Sequence, residues 1–429
     1  MTYNQALEFL FSRLPAYHRI GKAAYKASLD NTIALDGYFG HPHLKFRSVH
    51  VAGTNGKGSV SHYTASVLQE AGFKTGLYTS PHLKDFRERI RVNGEMIPEQ
   101  EVISFVEAHS WIMESLQPSF FELTMAMAFD YFARSGVEVA VVEVGMGGRL
   151  DSTNIISPLL SVITNIGHDH MEFLGNTLEA IAAEKAGIIK SQTPVIIGET
   201  HPETEKVFRS KAAQMNAPVI FADKSFECTL GAFDNDTGLR NYSVTRNPCR
   251  LSFSGETPLG GIYQQKNIQT VFAAAEILKP LFSVSDKNVT DGIRNVLSNT
   301  HLAGRWQILN RDPLTICDTG HNREGLEYVI SQIKSLGKKK THIVIGFVND
   351  KDIDPVLPLF PSDAVYYFTR ASIPRALDEK ILKEKAAIAG LKGESYPTVK
   401  EAVKAASENA GRDDLVFIGG STFIVAEAL

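Results

Sequence analysis

One stretch of the chain, "VEVAVVEVG" at residues 137–145, is dominated by β-branched valine. Such a run predicts a strand that is covered on both faces, because a strand with one solvated face alternates apolar and polar residues. Both faces of a sheet are covered when helices connect parallel strands. The stretch therefore favours an α/β fold with a mainly parallel sheet.

Other short apolar runs alternate with helical patterns, as this fold class requires. In the first part of the chain we predict strands at residues 47–53, 159–167 and 194–198, and helices at 59–71, about 177–189 and about 265–278. The polar segment 223–261, with turns such as "DNDTG", predicts a smaller antiparallel segment. Four further strands are predicted at "LTICDTG", "THIVIGF", "AVYYFT" and "DLVFIGG" in the second part.

The chain has 429 residues, which is too long for one ordinary core. The strand pattern begins again near Gly304, and residues 298–303 are a suitable linker. We therefore predict an N-terminal domain at residues 1–298 and a Rossmann-like α/β domain at residues 304–429.

Composition narrows the partners that the protein can have. The formal net charge is −4, which gives no general attraction to nucleic acid or to an anionic membrane. The three cysteines are far apart and form no metal-binding or redox pattern. The sequence has no recognisable leader and no long apolar span. We therefore expect a cytoplasmic protein that binds neither nucleic acid nor membrane.

The glycine-rich segment "VAGTNGKGSV" at residues 51–60 lies between a predicted strand and a predicted helix. It departs from the common phosphate loop, because Gly58 separates Lys57 from the hydroxyl of Ser59. Backbone amides of such a turn can bind an anion, Lys57 adds a positive charge, and Ser59 offers an oxygen to Mg²⁺. The alternative is a simple turn with a solvated lysine.

Glu143 stands near the end of the most apolar strand. A buried carboxylate is costly unless it is paired or bound to a metal, and open α/β sheets bind ligands at the carboxyl ends of their strands. We therefore predict a metal or ligand role for Glu143. The alternative is an ion pair with Arg149.

A second group of polar residues follows the strand at 159–167. It contains His168, Asp169 and His170, which suit a metal or a general base, although each histidine alone is better explained as structural. Farther on, Lys185 lies in the apolar segment "AIAAEKAGIIK", where loss of hydration lowers a lysine pKa. A neutral lysine can add carbon dioxide and become a carbamate, an oxygen ligand for Mg²⁺. Taken alone, the sequence favours the alternative, a lysine that pairs with Glu184 and reaches the surface.

Taken together, the motifs of this chain resemble those of folylpolyglutamate synthases and dihydrofolate synthases, the folate branch of the Mur ligase superfamily. The resemblance rests on seven motifs in the family's order, "GTNGKGS", "YTSPHLKDFRERI", "EVGMGGRLDSTN", "NIGHDHMEFLGNTLEAIAAEKAGIIK", "HLAGR", "DTGHN" and "GFVNDKD". It extends to "FIGGSTFIVAE" near the end and so covers essentially the whole chain. The shortened phosphate loop is a trait of this superfamily.

The resemblance implies a P-loop-type ATPase domain at residues 1–298 and assigns roles to matching residues. It implies an ATP site formed by loop residues and by residues farther along the chain: Thr54, Asn55, Gly56, Lys57, Gly58, Ser59, Asn267, Arg305, Asp318 and His321. It implies two Mg²⁺ sites with Ser59, Ser80, Glu143 and His170 as ligands, and Lys185 as a carbamate. His170 and the carbamate complete the second metal site or stabilise the region of the γ-phosphate. Lys57, Glu143, His170 and Lys185 are the implied catalytic residues.

Two positions depart from the family's pattern. Ala303 stands where the family has a proline before the linker glycine, and "DTGHNR" stands where the family has D-G-A-H-N-P. The polar side chains are kept, so the departures concern loop shape.

The activity that the resemblance implies is ATP-dependent ligation of L-glutamate to dihydropteroate, to folates or to both, through an acyl phosphate. A monofunctional folylpolyglutamate synthase and a non-catalytic nucleotide-binding protein are the alternatives. The segments "RIGKAAYKASLDN" at 19–31 and "FRERIRVNG" at 86–94 are candidates for the pterin contacts; the alternative for each is a structural helix or a basic exposed loop. A monomer is expected.

Overall fold

The computed structural model describes residues 1–14, 28–234, 236–349 and 352–429 of the chain. Residues 19–27, part of the predicted pterin-contacting segment, lie outside these ranges. The chain divides into two compact units. The first unit comprises residues 1–231, 241–258 and 264–302, and the second comprises residues 232–240, 259–263 and 303–429.

The first unit is built on an eight-stranded sheet. Its strands, in chain order, are β1 Arg47–Ala52, β2 Thr75–Tyr78, β3 Ile90–Val92, β4 Glu95–Met96, β5 Val139–Glu143, β6 Leu160–Ile163, β7 Val195–Ile197 and β8 Val219–Phe221. Their order in the sheet is β4-β3-β2-β5-β1-β6-β7-β8. Six neighbouring strands, β2, β5, β1, β6, β7 and β8, pair in parallel. The strands β3 and β4 extend the sheet beyond β2 by antiparallel pairing. The predicted mainly parallel sheet is therefore confirmed.

Helices surround this sheet in the first unit. The α-helices are Tyr3–Arg13, Asp30–Tyr38, Lys57–Glu70, Glu99–Leu116, Phe120–Arg134, Met171–Leu174, Leu178–Lys185, Pro202–Gln214, Ala222–Ser225, Gln264–Phe282, Asp286–Arg294 and Val296–Thr300. Short 3₁₀ helices lie at Pro42–Lys45, Phe86–Arg89, Ser152–Ile155 and Ala186–Ile188. The helix predicted at 59–71 begins earlier, at Lys57, and the helix predicted at about 177–189 changes to 3₁₀ geometry after Lys185.

The segment predicted as a smaller sheet contains β9 Phe226–Asp234, β10 Leu239–Arg246 and β11 Leu251–Thr257, in the order β11-β10-β9. The second unit contains β12 Gln307–Arg311, β13 Leu314–Cys317, β14 Thr341–Ile345, β15 Val365–Thr369, β16 Gly393–Tyr396 and β17 Leu415–Gly419. Their order is β12-β13-β17-β14-β15-β16, and all pairs except β12–β13 are parallel. The accompanying helices are Leu357–Leu359 (3₁₀), Arg323–Ser335, Glu379–Ile388, Val399–Asn409 and Thr422–Ala428.

The centre of the first sheet fixes the position of the polar residues. In β5 every residue is buried, as the valine run predicts. Val51 of β1 lies opposite Glu143 of β5, and Ala52 lies opposite Ile163 of β6. The glycine-rich segment after β1, Glu143 and the polar residues after β6 therefore come together at one edge of the sheet. Among the described residues, no helix has both the length and the apolar character that a membrane crossing requires.

His50 of β1 is completely buried, and its Nε2 lies 2.8 Å from Thr153 Oγ1. Burial lowers the pKa of His50 to about 3, with a smaller contribution from Lys190. Between about pH 6.5 and 3 the unfolded chain therefore binds one proton more than the folded protein, so stability falls as the pH falls through this window. In a His50→Gln variant this loss is absent. We expect wild type to lose about 2–3 kcal/mol more than the variant between pH 7 and 4.5.

Urea unfolding of both proteins at the two pH values measures this difference. The comparison cancels any constant cost of the substitution, because only the change with pH is used. Parallel pH profiles for the two proteins would show that His50 does not titrate differently on unfolding.

Candidate functional site

The glycine-rich loop after β1 packs closely against its neighbours. Gly53 has φ +145°, and a Cβ there would lie 1.9 Å from Thr164 Oγ1. Gly56 has φ +82°, and a Cβ there would lie 2.3 Å from Asn267 Oδ1. A side chain at either position is therefore excluded by both backbone conformation and space. The second contact also places Asn267 beside the loop, as the sequence predicts.

Hydrogen bonds to the segment after β6 hold the loop in shape. The Thr54 amide donates to the Asn165 carbonyl at 2.9 Å, and the Asn55 amide donates to Asn165 Oδ1 at 2.8 Å. The hydrogen bonds of these two amides therefore stabilise the conformation of the loop. The amides from Gly56 to Ser59 lie at the first turn of a 14-residue helix, where the helix itself supplies no partners. That turn is the part of the loop suited to bind an anion.

Two lysines converge on one backbone carbonyl in the loop. Lys57 Nζ donates to the Gly53 carbonyl at 3.1 Å and to the Thr54 carbonyl at 3.2 Å. Lys185 Nζ donates to the same Gly53 carbonyl at 2.9 Å. The Nζ atoms of both lysines thus lie together at the loop, where a protonated amine would attract an approaching anion.

Lys185 is 4% exposed, so the interpretation in which it reaches the surface is wrong. Its proposed partner Glu184 instead accepts hydrogen bonds from Arg149, at 2.8 and 3.1 Å. Burial lowers the pKa of Lys185 to about 7; the charge of Lys57 lowers it further, while Asp169 and Asp151 oppose the shift. A substantial neutral fraction of this amine is therefore present at neutral pH.

Glu143 ends β5 and is 4% exposed. Its Oε2 accepts the Ser80 amide at 3.3 Å, so Ser80 and Glu143 are neighbours, as the predicted metal site requires. Arg149, the alternative partner for Glu143, forms an ion pair with Glu184. A carboxylate with a neighbouring hydroxyl is a donor set that fits Mg²⁺.

Asp151 shapes the turn that follows Glu143. It caps the 3₁₀ helix Ser152–Ile155, and its Oδ2 accepts the amides of Gly145 and Met146, each at 3.0 Å. Burial raises the pKa of Asp151, and hydrogen bonds from Thr153 and from the backbone act against this shift. The sequence suggests a turn-forming residue at this position but gives no sign of its burial.

The residues after β6 form a short loop. His168 is exposed, whereas Asp169 and His170 are half-buried. The His170 amide donates to Asp169 Oδ1 at 3.0 Å, and the imidazole Nε2 lies 4.0 Å from Asp169 Oδ2. Since Asp169 influences the pKa of Lys185, this loop lies close to the lysine pair.

Gln264 links two predicted site residues and was missed by the sequence reasoning. Its Nε2 donates to Ser59 Oγ at 3.3 Å, and its Oε1 accepts from Asn267 Nδ2 at 2.8 Å. All three side chains are buried. The glutamine therefore fixes the orientation of the Ser59 hydroxyl beside the glycine loop.

In the second unit, Asp318 organises the predicted nucleotide-contacting residues. It is 2% exposed and accepts hydrogen bonds from Tyr263 Oη at 2.5 Å and from the amides of Trp306 and Gly320, each at 2.8 Å. Burial raises the pKa of Asp318, and the Tyr263 hydrogen bond and the charge of Arg305 act against it.

Asp318 thus holds the backbone next to Arg305. Arg305 Nη1 donates to the Gly304 carbonyl at 3.3 Å and contacts Thr319 Oγ1. His321 Nδ1 donates to the Thr319 carbonyl at 3.0 Å. Arg305 from one motif and Asp318 and His321 from another therefore belong to one local cluster.

Comparison with known proteins gives a match for each part of the chain. Residues 51–275 match the Mur ligase middle domain, and residues 304–422 match the Mur ligase, glutamate ligase domain. The dihydrofolate synthase/folylpolyglutamate synthase of Bacillus subtilis (strain 168) is 33% identical over 437 residues, which cover 99% of this chain and 98% of that protein.

Two solved structures resemble this chain over its length. E. coli FolC in complex with DHPP and ADP has a TM-score of 0.84 at 30% identity and covers 100% of this chain and 97% of its own. Mycobacterium tuberculosis folylpolyglutamate synthase complexed with ADP has a TM-score of 0.85 at 28% identity and covers 99% and 97%. The chain therefore belongs to the folylpolyglutamate synthase and dihydrofolate synthase branch of the Mur ligase family.

Proposed function

We infer that this protein is an ATP-dependent ligase that joins L-glutamate to dihydropteroate, to folates or to both, as a bifunctional dihydrofolate synthase and folylpolyglutamate synthase. The observation that carries this inference is the lysine pair on the Gly53 carbonyl, at the same sheet edge as the buried Glu143. This arrangement suits a polyphosphate with its metal ion. The ADP complexes of E. coli FolC and the M. tuberculosis relative support nucleotide binding by this chain.

The chemistry overcomes the low reactivity of a carboxylate. Its carbonyl is electron-rich, and its leaving group would be oxide. Transfer of the γ-phosphate of ATP to a carboxylate oxygen releases ADP and gives an acyl phosphate, whose leaving group is phosphate. The amine of L-glutamate then attacks the carbonyl carbon, the C–O bond to phosphate breaks, and the amine loses a proton to give the amide. Lys57 offsets the repulsion between the two anions in the first step.

We assign the phosphates to the turn formed by Thr54, Asn55, Gly56, Lys57, Gly58 and Ser59, with Asn267 beside it. The amides of Gly56–Ser59 at the helix start carry the contacts, while the Thr54 and Asn55 amides hold the loop. Asp169, or His170 when it holds no metal ion, is the proton acceptor for the incoming amine, because both are half-buried and Asp169 acts on the charge of Lys185.

Two Mg²⁺ sites complete the proposal. Ser59, Ser80 and Glu143 hold one ion, and His170 holds the second with Lys185 as a carbamate. When bound, the ions neutralise phosphate charge and polarise its oxygens. The low pKa and burial of Lys185 support the carbamate, because only a neutral amine adds carbon dioxide.

For the rest of the chain, we propose that residues 1–298 form the ATP-binding domain and residues 304–429 the Rossmann-like glutamate-ligase domain. Within the latter, Arg305 contacts the phosphates, and Asp318 and His321 contact the nucleoside. The protein acts as a cytoplasmic monomer without nucleic-acid or membrane partners.

Glu199 positions the nucleotide loop without belonging to it. Asn165 Nδ2 donates to Glu199 Oε1 at 3.1 Å, and Lys266 Nζ lies 3.1 Å from Glu199 Oε2. A carboxylate only accepts hydrogen bonds, so it forces the Asn165 amide to turn its oxygen toward the Asn55 amide. Glu199→Ala removes this constraint. We expect KM for ATP to rise about three- to tenfold with little change in kcat.

Steady-state kinetics with varied ATP test this expectation. Glu205→Ala is the matched control, because Glu205 also forms ion pairs, with Arg209 and Lys224, but lies on the helix Pro202–Gln214. If KM for ATP is the same in the two variants, Glu199 does not position the nucleotide loop.

Assays with the purified full chain test the proposed function. ATP, Mg²⁺ and L-glutamate are supplied with dihydropteroate or with tetrahydrofolate, and phosphate and the amide product are measured. We expect one phosphate per amide bond with both acceptors. Turnover of tetrahydrofolate alone identifies the monofunctional alternative. No phosphate with either acceptor would overturn the ligase assignment and favour a non-catalytic nucleotide-binding protein.

A further inference from the structure

A cluster of two histidines and one aspartate lies before β1, apart from the residues assigned to the ligase reaction. Asp36 belongs to the helix Asp30–Tyr38, His41 directly precedes the 3₁₀ helix Pro42–Lys45, and His43 lies within that 3₁₀ helix. The backbone between them turns tightly, because the His41 amide donates to the Asp36 carbonyl at 2.8 Å and His41 has φ +56°. The turn brings all three side chains to the same place.

The three side chains meet through the atoms that bind metals. His41 Nδ1 lies 2.6 Å from Asp36 Oδ2, and His43 Nδ1 lies 2.6 Å from Asp36 Oδ1. All three candidate ligand atoms lie within 4.8 Å of one another. The side chains of Asp36 and His43 are 8% and 13% exposed, whereas that of His41 is 57% exposed. The cluster is thus buried at Asp36 and His43 and open to water at His41.

We propose that Asp36, His41 and His43 form a zinc site. Two imidazoles and one carboxylate are the protein ligands of several tetrahedral zinc sites, in which water takes the fourth position. The ligand atoms in a tetrahedral site are about 3.3 Å apart, given bonds of about 2.0–2.1 Å. The two contacts of 2.6 Å between Asp36 and the histidines must therefore lengthen by less than about 1 Å to admit the ion, and the exposed His41 can move by that amount.

Binding changes the tautomer of each imidazole. A carboxylate only accepts hydrogen bonds, so both Nδ1 atoms carry a proton in the metal-free cluster. Ligation through Nδ1 requires that this atom lose its proton, and the ring proton of a bound imidazole is then on Nε2. The charge of the ion replaces the two N–H donors that face the Asp36 carboxylate. Mg²⁺ prefers oxygen ligands and does not compete.

The site joins two elements that lead into the glycine loop. The helix Asp30–Tyr38 and the 3₁₀ helix Pro42–Lys45 precede β1, which ends at Ala52 directly before Gly53. An ion bound here connects the helix to the entry of the central strand. It acts as a structural clip and stabilises the folded chain by binding it in preference to the unfolded chain.

Isothermal titration calorimetry tests the proposal with the full chain stripped of metal by a chelator. Zn²⁺ is titrated into wild type, His41→Gln, the double variant His41→Gln/His43→Gln, and His201→Gln, whose histidine is half-buried and outside the cluster. Mg²⁺ at high concentration is present throughout, to occupy the oxygen-rich site near Glu143. Thermal unfolding with and without Zn²⁺ is measured in parallel.

We expect wild type and His201→Gln to bind one Zn²⁺ that both cluster variants bind more than about tenfold more weakly. Zn²⁺ should raise the unfolding temperature only of the proteins that keep the cluster. Glutamate ligation in Mg²⁺ should be unchanged in His41→Gln, so the site is separable from the reaction. The single variant His41→Gln is expected to fold normally, because the side chain of His41 is mostly exposed. Equal zinc binding by wild type and His41→Gln, or no zinc binding by wild type, would overturn the proposal.

Discussion

Replacing Lys57 by alanine is expected to lower kcat by about 10²- to 10³-fold. Phosphoryl transfer depends on positioning and on stabilisation of charge, and the side chain of Lys57 supplies a positive charge at the start of the helix Lys57–Glu70. Its hydrogen-bond partners in the fold are two backbone carbonyls, those of Gly53 and Thr54. Removing it should therefore cost only about 1 kcal/mol of stability.

Phosphate release under saturating substrates measures the effect, and urea unfolding shows that the variant is folded. Lys84→Ala is a suitable control, because Lys84 is an exposed lysine of the same unit. A kcat for Lys57→Ala within about twofold of wild type would remove Lys57 from the reaction, since one misplaced charge already costs more than that.

Replacing Lys185 by alanine is expected to abolish a metal ligand and to lower kcat by about 10²-fold or more. If Lys185 is a carbamate, a second result is expected for this variant. Acetate or propionate should restore part of the activity, because their carboxylate can occupy the cavity left by the side chain and supply the missing oxygen ligands. The same acids should not help Lys57→Ala, since that variant lacks a positive charge.

Spectroscopy separates a carbamate from a neutral amine at this position. In wild type incubated with ¹³C-bicarbonate we expect a ¹³C carbonyl resonance that is absent from Lys185→Ala. If wild type shows no such resonance and short acids give no rescue, Lys185 acts as an amine, and the second metal site needs another ligand.

Much of the fold follows from local patterns. The valine run predicts the strand β5, and the glycine segment predicts the turn after β1. Both predictions succeed because residues adjacent in sequence determine these elements. The convergence of Glu143, the glycine loop and the histidine segment is likewise predictable, since parallel strands end at the same sheet edge. The length of the helix that carries Lys185 was overestimated because a change to 3₁₀ geometry leaves the apolar pattern intact.

The finer structure of the site depends on contacts between residues far apart in the chain. Lys185 donates to Gly53 across 132 positions, and Gln264 reaches Ser59 across 205. Sequence periodicity carries no information about such pairs. The pairing of Lys185 with Glu184 was wrong for this reason, because adjacency in sequence suggested a partner that burial of the lysine excludes. Asp151 caps the short helix after β5, and its burial depends on the whole fold.

The shared carbonyl of Gly53 makes the two lysines energetically dependent on each other. Because one carbonyl oxygen accepts hydrogen bonds from both lysine side chains, either lysine can strengthen its own contact when the other is lost. The stability changes of the two single alanine variants should therefore fail to sum to that of the double variant. Epistasis of this kind would constrain the order in which substitutions accumulate at these positions.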